Sequence, residues 1–185
     1  MSVGRTMAII GILALGARAK AQEMAAKPPT VTSCRDVVTT RPGMGQAYTG
    51  TVENSDYNFS ARIPPGRTAW GGVAESAPFH GFTIFLGPRA ESCLVFEVHI
   101  SVDESDRFTP LPGAKSIQLG KADGWQTIYR GVVRGVRLTN AKTAFSFKQP
   151  DQIDDGFILL ITPDSSAGEA TKTYRLFEQN LLFGH

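Results

Sequence analysis

Residues 157–183, FILLITPDSSAGEATKTYRLFEQNLLF, decide the fold, because the hydrophobic period changes within them. Phe157 to Ile161 is a continuous apolar run, which suits a central strand covered on both faces. Further on, Ser166 with Glu169 three positions later fits a capping box. Tyr174, Phe177, Leu181 and Leu182 then fall at i, i+3, i+7 and i+8, one apolar stripe on a helix that Gly184 ends. A helix with a single apolar stripe must bury it, and strands offer the large apolar surface. The stretch therefore predicts an α+β domain: an antiparallel β-sheet with a packed C-terminal amphipathic helix. A β-sandwich or barrel with one appended helix is the alternative.

The strands lie upstream. Tyr57, Phe59, Ala61 and Ile63 alternate with Asn58, Ser60 and Arg62, and Pro64-Pro65-Gly66 stops the run because proline cannot continue a ladder. Residues 66–79 show no period and read as a long loop around Trp70-Gly71-Gly72. Phe82, Ile84 and Leu86 alternate again, as do Leu94, Phe96, Val98, Ile100 and Val102; the short connection between the two runs makes them antiparallel neighbours. The opposite face of the second run, Val95, Glu97, His99 and Ser101, is semi-polar. Residues 103–124 are the least legible. A turn at Asp123-Gly124 leads into Trp125 to Leu138, which carries a basic stripe of Arg130, Arg134 and Arg137, and Thr143, Phe145 and Phe147 form a further strand ended by Pro150. There is no internal repeat.

The amino terminus has the three parts of a secretory signal over residues 1–21. Arg5 charges its start, Met7 to Leu15 is apolar, and Ala19-Lys20-Ala21 supplies the small-x-small cleavage pattern. As a helix, that apolar run spans only about 13 Å against a hydrocarbon core of roughly 30 Å, so the segment reads as a cleaved leader rather than an anchor. Residues 22–33 read as a flexible leader, and 34–185 as a single domain, in a compartment that is periplasmic or extracellular. Cleavage removes Arg5, Arg18 and Lys20, so 19 − 3 = 16 basic residues face 17 acids, a formal charge of −1. That balance asks for neither nucleic acid nor stable membrane insertion. In an oxidising compartment the two cysteines, Cys34 and Cys93, most simply pair as a disulfide.

The run of Tyr57 to Gly66 into Ile-Pro-Pro-Gly, the strand opened by His80-Gly81-Phe82, and the late apolar strand followed by a terminal helix (Phe157 to Phe183) resemble small exported domains of the PsbP-like α/β/α sandwich type. The layout is also similar to bacterial secreted proteins with a Pro-x-His-Gly-Phe segment, here Pro78 to Phe82. The resemblance covers the ends of the domain, leaves out residues 103–124 and transfers no functional residue. It implies a binding or assembly accessory rather than an enzyme.

Among candidate site residues, His80 stands at the end of a Gly- and Pro-rich loop and just before a strand, an edge position where rigid scaffolds hold binding groups. Trp70 is a costly residue to expose in a loop, and it serves either as an anchor for a partner or as a lid on the core. Arg62 and Arg67 with Arg130, Arg134 and Arg137 would bind a carboxylate or phosphate if they converged. Asp103, Glu104 and Asp106, like Asp151, Asp154 and Asp155, read as solvated acidic patches, since they lack the spacing of a calcium loop. Three histidines without zinc spacing give no metal signal, no cofactor is implied, and no catalytic residue is assigned. The inventory predicts a binding or accessory module that contacts an envelope protein or a small ligand around Trp70 and His80. The alternatives are a small envelope hydrolase built on His80 with an acid such as Glu97 or Asp103, and an inhibitor or immunity-type protein.

Overall fold

A computed structural model describes residues 30–38, 42–43, 45–71, 80–87, 91–101, 110–111 and 113–184. The expected signal (1–21), most of the leader, Gly72, the acids Asp103, Glu104 and Asp106, and His185 lie outside the described residues. In chain order the elements are α1 (Cys34–Val37), β1 (Gln46–Tyr48), β2 (Thr51–Asn54), β3 (Phe59–Arg62), β4 (Ala69–Gly71), β5 (Gly81–Phe85), β6 (Cys93–Ser101), β7 (Lys115–Leu119), β8 (Ala122–Val133), β9 (Val136–Lys148), β10 (Ile153–Pro163), α2 (Ala167–Gln179) and β11 (Leu181–Phe183).

An eight-stranded sheet runs in the order β1-β4-β5-β6-β10-β9-β8-β7, and a three-stranded sheet in the order β11-β3-β2. Every strand pair is antiparallel. The large sheet does not close, so the barrel alternative is set aside; the fold is α+β with the sheet dominant. The apolar run of β10 lies between β6 and β9 and is covered on both faces. Ile158 and Leu160 enter one core with α2 and the small sheet, whereas Leu159 and Ile161 enter a second core with Cys93, Val95 and Leu138. In the first core, Phe96 stands 5.1 Å from Phe59, 5.2 Å from Phe82 and 6.0 Å from both Phe145 and Phe177, ring centre to ring centre. The second core is capped by the N-terminal arm: Val31, Val37 and Val38 pack on it, and the Cys34–Cys93 disulfide holds the arm across it with Cα atoms 6.0 Å apart.

Several local expectations change. Asp123-Gly124 is strand: the turn leading into β8 falls at Gly120-Lys121, and a second turn at Arg134-Gly135 divides Trp125 to Leu138 between β8 and β9, its φ angles of 50° and 81° being the two positive values that a tight hairpin turn of this hand requires. Gly124 is small for another reason: a Cβ there would stand 2.9 Å from the Ile117 side chain. Trp70 is strand rather than loop, in β4 between β1 and β5; three residues are too few to display a period. The capping box does not form, because Ser166 makes no side-chain cap bond and Glu169 instead faces Arg67 at 3.4 Å. The helix ends at Gln179, and Leu181 to Phe183 pair with β3 as a strand, so the stripe read as one helix belongs to two elements. Asp154 is fully buried rather than solvated: Gln149 and Gln152 both donate side-chain N–H bonds to its carboxylate, the latter at 2.8 Å.

Helix α2 meets the sheet through a polar cluster inside the first core. Gln126 Nε2 donates to both carboxylate oxygens of Glu178 at 2.9 and 3.0 Å, Thr143 Oγ1 donates to Glu178 as well, and the buried Tyr174 hydroxyl lies 2.6 Å from Thr143 Oγ1. Burial raises the Glu178 pKa above its ordinary 4.5, against the lowering effect of these hydrogen bonds. A carboxyl whose folded pKa is raised binds more protons folded than unfolded, so its contribution is present below pH 4.5 and is lost as pH rises through the folded value. Asp154, also raised by burial, acts in the same direction. Urea unfolding of the wild type and Glu178→Gln across a pH series is therefore expected to show the wild type losing stability relative to the variant as pH climbs from about 4.5. A difference independent of pH would contradict this.

Candidate functional site

The site is built where β5 and β6 run side by side. Extended backbone alternates faces, so Gly81, Thr83 and Phe85 of β5 stand opposite Glu97, Val95 and Cys93 of β6 on the face away from α2. Gly81 is required there: its φ is 153°, and a Cβ would fall 1.9 Å from the Phe96 carbonyl oxygen. The arm that the disulfide ties down adds Val37 and Val38. Together with His80, His99, Glu97, Thr83 and Val95 they line a groove of about 390 Å³.

His80 is held from below. The Tyr57 side chain is buried under it, with its hydroxyl 2.8 Å from His80 Nδ1. Burial, with Asp154 and Asp56 adding negative charge, raises the Tyr57 pKa, so the phenol stays protonated; the histidine tautomer sets which partner donates in the bond to Nδ1. That hydrogen bond engages Nδ1 and leaves Nε2 as the nitrogen for a ligand. Nδ1 also lies 3.4 Å from the Val98 carbonyl oxygen, which accepts from it when Nδ1 carries a proton. His99 stacks on His80 with ring centres 5.8 Å apart, and its Nε2 stands 3.6 Å from Glu97 Oε2. Farther along the same face the Lys142 ammonium sits 4.8 Å over the Phe157 ring. Burial lowers the Lys142 pKa while Glu97 opposes that shift.

Chemically the groove offers an imidazole with one nitrogen already engaged, a second imidazole beside a carboxylate, and apolar walls. It is suited to gripping a polar group at the end of an apolar one. Its hydroxyl, on Thr83, is buried. Glu97, named as an acid for hydrolysis, does line the groove, but it faces His99 rather than His80. Asp103 lies outside the described residues. Among the described residues no group of three or more His, Cys, Asp or Glu side chains is placed to hold a metal ion.

Trp70, half-buried on β4, is the cross-strand partner of Thr83 and so shares the sheet face of Thr83 and Val95, but it does not line the groove itself. The arginines do not join them. Arg62 is exposed on β3 of the small sheet, and Arg130 lies at the far end of β8 with its Nε 3.3 Å from Thr139 Oγ1. Arg67 bonds the Leu86 carbonyl oxygen and Glu169, and Arg134 pairs with Asp36 at 2.8 Å. Sequence reading missed the support of His80 by Tyr57, since only folding brings together residues 23 positions apart. It also missed His99, whose sole signal was its place on the semi-polar face of a strand.

No protein-family model matches the sequence, and no curated protein matches it. The fold is similar to that of LpqN, described as involved in cell envelope biogenesis in Mycobacterium tuberculosis, with a TM-score of 0.55 and 11% identity, covering 75% of this chain and 91% of that one. A Bacteroides thetaiotaomicron protein aligns with a TM-score of 0.47 and 7% identity, over 74% of this chain and 49% of its own. What the first likeness establishes is a shared sheet-and-helix fold.

Proposed function

We propose that the chain is an extracytoplasmic binding or accessory module that loses its leader near Ala21 and engages an envelope protein or a small ligand through the His80 groove. The observation that carries this reading is the groove itself. A histidine fixed by a buried tyrosine, a second histidine paired with Glu97, and an apolar wall from a tethered arm meet in one concavity. The disulfide supports an oxidising compartment. The fold shared with LpqN supports a role in the cell envelope, and the PsbP-like resemblance of Tyr57 to Gly66 and His80 to Phe82 points to the same accessory class. Among the described residues no helix is long and apolar enough to cross a membrane.

Capture from an envelope extract tests this. The wild type retains a partner or ligand that His80→Ala and Trp70→Ala each lose or hold more weakly, while circular dichroism shows both variants folded. Capture unchanged in both variants would place the interface elsewhere.

A further inference from the structure

A second surface lies three strands away from the groove. Strand β8 is twelve residues long and pairs with β9 from Asp123 to Val133, yet β7 covers its other side only from Ala122 to Gln126. Among the described residues, therefore, no strand pairs with the outer edge of Thr127 to Val133. Over those seven residues about half of the backbone N–H and C=O groups point outward, as on any antiparallel edge. The segment, Thr-Ile-Tyr-Arg-Gly-Val-Val, is rich in β-forming residues and has no proline. Ile128 and Val132 are 52% and 64% exposed on one face, with Arg130 exposed between them and Arg137 of β9 opposite Val132.

We propose that this edge accepts an extended acidic segment of another protein as an added antiparallel strand. The backbone would supply the ladder, Ile128 and Val132 the apolar contacts, and Arg130 with Arg137 the charge preference. Charge decides between occupants. A second copy pairing edge to edge about its middle would set Arg130 against Arg130, like charges directly opposed. The chain's own leader contains Pro28 and Pro29, which lack ladder donors, and its Glu23 and Lys27 cancel. An acidic strand meets the edge without either cost. The proposal stands apart from the His80 reading, and either can fail alone.

The probe is a labelled synthetic peptide alternating glutamate and valine, titrated onto the full chain by fluorescence anisotropy, with amide hydrogen exchange locating it. The expected result is saturable binding with protection confined to residues 127–133, weakened severalfold by Arg130→Glu and abolished when alternate peptide nitrogens are methylated. The methylated peptide leaves the protein unaltered, so a folding defect in the variant cannot decide the outcome. The proposal is overturned by no saturable binding, by equal binding of a lysine-valine peptide, or by protection elsewhere. Concentration-dependent dimerisation that protects the same residues would assign the edge to a second copy and overturn it too.

Discussion

Replacing Cys34 and Cys93 together by serine is expected to lower the unfolding free energy by about 4 kcal/mol. The bond spans 59 residues, and in the chain-entropy account a loop of that length restricts the unfolded chain by roughly that amount. The native state changes as well, since Cys34 is buried and Val31, Val37 and Val38 pack with it on Val95, Leu138, Leu159 and Ile161. Untied, the arm frays first, and hydrogen exchange rises in β6 and β10 before the first core opens. Because Val37 and Val38 form one wall of the groove, the binding proposed there is expected to weaken when the bond is removed. Urea unfolding of oxidised and serine-substituted protein measures the stability effect. A difference of under about 1 kcal/mol would mean that the bond contributes little constraint.

Phe96→Ala is the second large effect. The ring is fully buried at the meeting point of both sheets and α2, among four other phenylalanine rings, so its removal leaves a cavity between them. The expected cost is about 3 to 5 kcal/mol, transfer and cavity together. That is a large part of the 5–15 kcal/mol or so that a domain has. Ile100 lies on the same face of the same strand but is 45% exposed, so Ile100→Ala serves as the control, at roughly 0.5 kcal/mol. Equal losses at both positions would show that burial at Phe96 is not what holds the layers together.

Much of this architecture was legible from period alone. Leu94 to Val102 reads as a two-faced strand, and Phe157 to Ile161 as a central one, because burial on each face writes directly into residue type. The elements that escaped were held by something other than period. Leu181 to Phe183 continues a helical spacing, yet β3 offers it a ladder and Asn180 closes the helix with its side-chain N–H on the Leu176 carbonyl oxygen. The β8–β9 turn is built on Arg134-Gly135, where an asparagine would have advertised it. At the site, His80 and Trp70 were readable as unusual residues at a chain break, but their supports were not. Tyr57, Val37 and the Glu97–His99 pair of β6 come from three separate segments whose convergence depends on strand order and on the disulfide.

Site-specific photo-crosslinking in intact cells tests the binding role most directly. A photoreactive amino acid is placed at His99 in the groove and, as a control, at the exposed Lys172 on α2. The expected result is one discrete adduct from position 99, lost when His80→Ala is added, and none from position 172. Adducts of equal yield from both positions, or none from 99, would contradict a ligand-binding role for this face.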